Sequence, residues 1–435
     1  MKATFYAYIY VLLSCITLPV VTLASSNLIV HTDSFDYYVP RAYAGENHYP
    51  MIVFCDPHGH GSIPLEMYKG LADSFEYILV GSNFAQNGVD IVECEKHIER
   101  IVLQMQSKYL IDEENITICG FSGGSYIAYH MAHFTNLFKN IIITGTPIRP
   151  IPKENYPNIF CIAGKADMNY SDLIDLDNQL QKVNYPGKYF TMEYPGKHEW
   201  PDATTFSNAC MFIYSMQCYN CKIGPMERIF LEQYSKKTYP NLYDKAMDYK
   251  KIIFLLDSTG AIEEYKKNYA LMCRNPEYTK IDFLNKMNWQ KEKAKKQAYL
   301  DQFKVAYDSF YWIKEVHDLR DTANKTIDER SMNQRLLGYL SLLGYSYTNR
   351  LLNGNLIANT PLLLNFYRIV DPKNPDVAYL SAIYFAKMNQ ADNALKSLQE
   401  AVDRGYSDKA KMKNEVAFEA IKSNVEFSKI LDQIK

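Results

Sequence analysis

The sequence predicts an α/β fold, a mostly parallel sheet with helices on both faces, followed by an all-α helical-repeat domain. Three observations carry that expectation. Short β-branched runs alternate with helix-like segments as far as Cys221. One run, Ile116 to Gly120, leads straight into the pentapeptide Gly120-Phe121-Ser122-Gly123-Gly124 and then into a helical pattern. Beyond Gly224-Pro225 the chain turns rich in Lys, Glu, Gln, Leu and Tyr, and strand-like runs become rare.

Taken in chain order, the first 24 residues read as an address. Met1-Lys2 gives a positive start, Phe5 to Val21 is apolar, and Thr22-Leu23-Ala24 supplies small residues for cleavage before Ser25. Residues 1–24 are therefore expected to be a signal peptide and the protein extracytoplasmic, periplasmic or secreted. Leu12-Leu13-Ser14-Cys15 offers a second reading, lipidation of Cys15, though the apolar run continues past it to Leu23. An uncleaved anchor is the third, since about 20 apolar residues span a bilayer.

Residues 25–221 form the expected catalytic domain. Met51–Cys55, Tyr77–Gly81, Ile116–Gly120, Asn140–Thr144, Ile159–Ala163 and Tyr189–Tyr194 are predicted strands. Between them, Asp90 to Lys108 places Ile91, Ile98, Ile101, Val102 and Met105 at helical spacing. Right-handed crossovers then bring every strand's C-terminal end to one edge. Ser122, Asp167, His198 and the His58–Gly61 turn all follow strand ends, so that edge collects them.

The pattern points to nucleophilic catalysis. A serine on a sharp strand-to-helix turn needs small neighbours, which Gly120 and Gly124 provide. His198 is placed to act as general base and Asp167 to orient it. Gly123, with Gly59 or His60, can direct backbone N–H groups at an oxyanion. Asp172, Asp175 and Asp177 stand close enough in sequence to be alternative acids. His58 and His60 have the H-x-H spacing of metal ligands but lack a clear third, so no metal and no cofactor is expected.

The segments PHGHG, GFSGG, AGKAD and GKHEWP together resemble the α/β-hydrolase superfamily, in its dienelactone-hydrolase, polyhydroxybutyrate-depolymerase and acyl-esterase branches. The resemblance covers roughly residues 34–216. It implies Ser122 as nucleophile, Asp167 as acid and His198 as base. The continuation GSYIAY after Gly123 and the two histidines of the oxyanion loop depart from many relatives, which leaves substrate choice open.

Composition frames this reading. With 435 residues, 47% hydrophobic, the chain can bury a large core in two or three domains. A net charge of −2 and no basic patch interleaved with aromatics argue against a nucleic-acid partner. Cys55, Cys119 and Cys161 fall in predicted buried strands and are expected to be free thiols. A disulfide among Cys210, Cys218, Cys221 and Cys273 is open in an oxidising compartment.

Residues 222–435 are expected to be helical. Tyr299, Phe303, Phe310 and Ile313 mark one face of a long helix, with Lys291 to Lys296 its solvated part. From Asp371 to Arg404, Ala382, Phe385, Ala394, Leu398 and Ala401 match a tetratricopeptide pattern, with Leu351–Val370 a degenerate neighbour. Such a stack offers a concave surface for a protein partner.

The expected function is an exported serine hydrolase that cleaves carboxylic esters through an acyl-enzyme on Ser122. Alternatives are a peptidase of the same superfamily, or a silent hydrolase-fold binding module whose helical repeats recruit a protein. No long insertion separates Thr144 from Asn158, so the site is expected to lack a large lid and to admit a polymeric or carbohydrate-linked ester.

Overall fold

The computed structural model describes residues 28–148, 155–217, 223–257, 262–354 and 356–434. The expected signal peptide, Cys15, Cys218 and Cys221 lie outside them. Eight strands form one sheet: β1 (Val30–His31), β2 (Phe35–Tyr38), β3 (Tyr49–Cys55), β4 (Ile78–Ser82), β5 (Ile111–Phe121), β6 (Asn140–Thr144), β7 (Asn158–Gly164) and β8 (Tyr189–Tyr194). Their order is β1-β2-β4-β3-β5-β6-β7-β8. From β3 onward neighbouring strands are parallel, with Met51 beside Ile78 on one side and Ile116 on the other, while β2 runs antiparallel to β4. This is the α/β-hydrolase fold.

Both faces of the sheet are covered, which is why the central strands read as unbroken apolar runs rather than alternating ones. Met51, Val53 and Cys55 face a core closed by helices α2 (Ile91–Lys108) and α3 (Gly123–Phe134). Ile52 and Phe54 face the opposite core, under α1 (Ser62–Phe75) and α6 (Ala203–Met216). Helix α2 forms over the predicted stretch, and the Asp90 carboxylate caps it by accepting the N–H groups of Val92 and Glu93. Strands β1 and β2 carry no such signal, because β1 is a two-residue edge strand and the four residues of β2, Phe35-Asp36-Tyr37-Tyr38, interrupt their apolar run with a carboxylate. Short helices α4 (Tyr170–Leu173) and α5 (Leu176–Lys182) follow β7.

The remainder is helical: α7 (Pro225–Ser235), α8 (Leu242–Leu256), α9 (Glu263–Cys273), α10 (Pro276–Gln302), α11 (Ser309–Arg320), α12 (Ile327–Leu352), α13 (Thr360–Val370), α14 (Pro375–Lys387), α15 (Ala391–Asp403), α16 (Lys409–Asn414) and α17 (Val425–Gln433). Phe230, Ile252 and Leu255 of α7 and α8 pack into the sheet's own core. Two further cores lie beyond, one around Trp312, Leu336 and Phe366, the other in the α14–α15 hairpin, where Ala382, Ala394, Leu398 and Ala401 are buried. Among the described residues no helix is long and apolar enough to cross a membrane.

Three expectations change. The long helix through Ile313 is two helices, because the Asp308 carboxylate accepts the N–H groups of Phe310 and Tyr311 and starts α11 afresh. The spacing counted across that break was not a face: Phe310 and Ile313 point to solvent, and Trp312 and Val316 are buried beside Tyr299. The lysine run is not simply solvated, since Lys296 is buried and Lys293 is paired with Asp175. Cys210 and Cys273 are free, so neither bridges the other.

Candidate active site

Strand β5 ends at Phe121 and α3 begins at Gly123, leaving Ser122 to make the whole turn. Its φ of 51° and ψ of −125° lie in a region that L residues avoid. The surroundings enforce it. Ser122 N–H donates to the Thr144 carbonyl at 2.9 Å, and the Ser125 hydroxyl donates to the Gly120 carbonyl at 2.6 Å while accepting the Thr144 N–H. A Cβ on Gly120 would meet the Gly124 carbonyl at 2.2 Å, and one on Gly124 the Cys55 carbonyl at 1.9 Å. The two outer glycines are thus required by backbone packed on backbone.

His198 follows β8 and points back at this turn. Its Nε2 lies 3.0 Å from Ser122 Oγ, and its Nδ1 lies 3.0–3.1 Å from both oxygens of Asp167. The ring rests against Phe121 at 4.9 Å. Asp167, 2% exposed, sits in the turn after β7; its carboxylate accepts the Asn169 N–H at 2.8 Å, and the Asn169 amide is tied to the Gly145 carbonyl. The alternative acids are engaged elsewhere: Asp172 with Lys296, Asp175 with Lys293, and Asp177 with the Thr191 hydroxyl.

The oxyanion side differs in part from expectation. Gly123 opens α3, where a first-turn N–H has no intrahelical carbonyl to bond. Gly59 and His60 instead spend their N–H groups within their own turn, on the carbonyl and the carboxylate of Asp56 respectively. Asp56 organises that turn: its carboxylate also accepts His58 N–H at 2.9 Å and the Trp200 indole N–H at 2.9 Å. Residues 57 and 58, rather than 59 and 60, reach the space above Ser122. Asn87, missed from the sequence, lines that space and lies against Gly123, where a Cβ would stand 1.7 Å from its Oδ1. Its signal was available, since it lies in the loop that follows the C-terminal end of β4. The His58 and His60 rings are 6.1 Å apart, and among the described residues no group of three or more metal-ligating side chains occurs.

Ser122 and His198 lie at the floor of a cavity of about 800 Å³ whose opposite wall comes from the helical region: Leu337, Gly338 and Ser341 of α12, and Asp371, Asp376 and Tyr406 further on. The absence of an insertion between β6 and β7 gives no hint of this wall, because its residues come from elsewhere in the chain. Burial pushes the Asp376 carboxyl upward, against the pull of Lys411 and His58. Burial also holds the thiols of Cys55, Cys119 and Cys161 well above their ordinary range, so they remain protonated and unreactive.

Neither a family model nor a curated protein sequence matches the chain. Among solved structures it is similar to an esterase of Pyrobaculum calidifontis, at 13% identity over 42% of this chain and 80% of that one, with a TM-score of 0.35. It is similar also to esterase B of Lactobacillus rhamnosis (14% identity, 42% and 81% covered, TM-score 0.35) and to a Bacillus cereus carboxylesterase (17% identity, 42% and 95% covered, TM-score 0.33).

Proposed function

We propose that the protein is a serine hydrolase that cleaves carboxylic esters through an acyl-enzyme on Ser122. The observation that carries this reading is the continuous chain Ser122–His198–Asp167, with contacts of 3.0 Å, on a backbone turn strained to present the hydroxyl. In the proposed cycle His198 Nε2 takes the Ser122 proton as Oγ attacks the ester carbonyl. Asp167 keeps the Nδ1 proton in place and stabilises the imidazolium. The developing oxyanion is met by Gly123 N–H at the positive end of α3. Collapse breaks the bond to the alkoxy oxygen, which leaves with the proton from His198. Water then gives a proton to Nε2 as its oxygen bonds the acyl carbon, and collapse breaks the bond to Ser122 Oγ, which takes that proton back from His198 as the acid leaves.

Export directed by residues 1–24 belongs to the same proposal and is read by the N-terminus of the mature protein in mass spectrometry. A protein partner for the helical region is likewise proposed, on the surface away from the cavity. The decisive experiment treats the purified protein with a fluorophosphonate probe and maps the adduct by peptide mass spectrometry, with Ser122→Ala alongside. An adduct on Ser122 that is lost in the variant is expected. A folded protein that takes no adduct would overturn the reading in favour of a binding module.

A further inference from the structure

The loop that carries Asp167 is gripped from the helical region at several of its residues. Arg335 of α12 reaches into it, and its Nη1 donates to the Lys165 carbonyl at 2.8 Å, two residues from Asp167. The guanidinium carbon stacks 4.9 Å from the Tyr170 ring. Its other edge is held by Glu292 of α10, whose Oε2 accepts from Nε at 2.9 Å and from Nη2 at 2.6 Å. Lys296, one helical turn on, donates to Ser171 Oγ at 2.9 Å and to Asp172 at 2.8 Å. Met168 packs under α12, where a Cβ on Gly338 would stand 3.3 Å from Met168 Cβ.

Arg335 is 6% exposed and Glu292 fully buried. Desolvating such a pair costs several kcal/mol, and well-packed apolar residues are often at least as stable in its place. Stability is therefore a weak reason for the pair. What apolar side chains could not supply is the donor to Lys165, a carbonyl beside the residue that must hold His198 within hydrogen-bond distance. We propose that Arg335 is a positioning residue for Asp167: braced by Glu292, it fixes the Lys165–Asp172 loop, so that the helical region completes the hydrolase site rather than merely adjoining it. This rests on the serine-hydrolase reading for its effect on turnover, but its structural core, the geometry of Asp167 against His198, can be read without turnover.

The test uses the full-length chain with Arg335→Met/Glu292→Met, which removes the pair without changing net charge, together with Arg335→Lys and, as a control in the same interface, Lys293→Met. Two readouts are taken: hydrolysis of p-nitrophenyl acetate, and the downfield NMR signal of the His198 Nδ1 proton, assigned with His198→Asn. The double variant should melt no lower than the wild type yet lose about 10²-fold in kcat with KM little changed, the scale of a displacement of about 1 Å at a catalytic group. Its Nδ1 proton signal should broaden away through exchange with water. Arg335→Lys, which keeps one donor, should recover part of both, and Lys293→Met should change neither. A folded double variant with a sharp Nδ1 signal and wild-type kcat would overturn the proposal. If the wild type itself neither turns over the ester nor labels at Ser122, the hydrolase reading fails, while the NMR comparison still decides whether Arg335 positions Asp167.

Discussion

Asp56 joins two parts of the site that are far apart in sequence, and removing it should show how tightly they are coupled. Its side chain is buried and accepts three N–H groups: His58 at 2.9 Å, His60 at 3.3 Å and Trp200 Nε1 at 2.9 Å. A hydrogen bond to an ionised acceptor contributes about 1.5–3 kcal/mol. Taking the lower figure for the two short bonds and little for the long one, Asp56→Ala should cost about 3 kcal/mol. Trp200→Phe removes one of the short bonds beforehand, so in that background Asp56→Ala should cost about half as much, leaving a coupling energy of about 1.5 kcal/mol. Urea unfolding of the wild type, both single variants and the double variant, followed by far-UV circular dichroism, measures each term. A coupling below about 0.5 kcal/mol would refute the reasoning, since it would mean that Trp200 and the His58 turn do not share the carboxylate. Both Asp56 variants should also label more slowly at Ser122, because the turn beside Gly123 and the segment carrying His198 lose their common anchor.

Asp167→Asn should keep the fold but lower kcat by about 10⁴-fold, because an amide can hold His198 in the wrong tautomer; steady-state hydrolysis of a p-nitrophenyl ester measures it. Gly124→Ala would drive a Cβ to 1.9 Å from the Cys55 carbonyl, backbone that cannot swing aside, and should yield little soluble protein, whereas Gly70→Ala, with nothing within 4 Å, should raise the melting temperature slightly. Burial raises the Asp376 carboxyl above its ordinary 3.8, so the group contributes stability that is complete below pH 3.8 and lost as pH rises through the folded value. Asp376→Asn should therefore melt higher than the wild type at neutral pH, with the gain shrinking as the pH falls towards 3.8.

Much of the α/β half was legible because its signals are local. The run Asn140–Thr144 reads as a doubly buried strand without knowledge of its neighbours, and the spacing of Ile91, Ile98, Ile101, Val102 and Met105 marks α2. Ser122, Asp167 and His198 could be singled out because each follows a strand end, and parallel strands bring such positions to one edge. The oxyanion turn was less legible: which N–H groups stay free depends on the Asp56 carboxylate, and nothing in PHGHG shows that it will take those of His58 and His60. In the helical half, periodicity misled at Phe310 and Ile313, because a count continued through the Asp308 cap describes two helices as one face.

The sequence by itself determined the order of strands β3 to β8, the backbone turn at Ser122 and the residue types that can perform acyl transfer, since these depend on β-branched runs, helical spacing and glycines within a few positions of one another. The tertiary structure decided that the helical region walls the cavity above Ser122, and that Arg335 and Glu292 grip the loop of Asp167. These contacts span 170 positions between Arg335 and Lys165. Local periodicity carries no information about such a pairing, which follows from how two packed cores dock and from the need of a buried guanidinium to find acceptors.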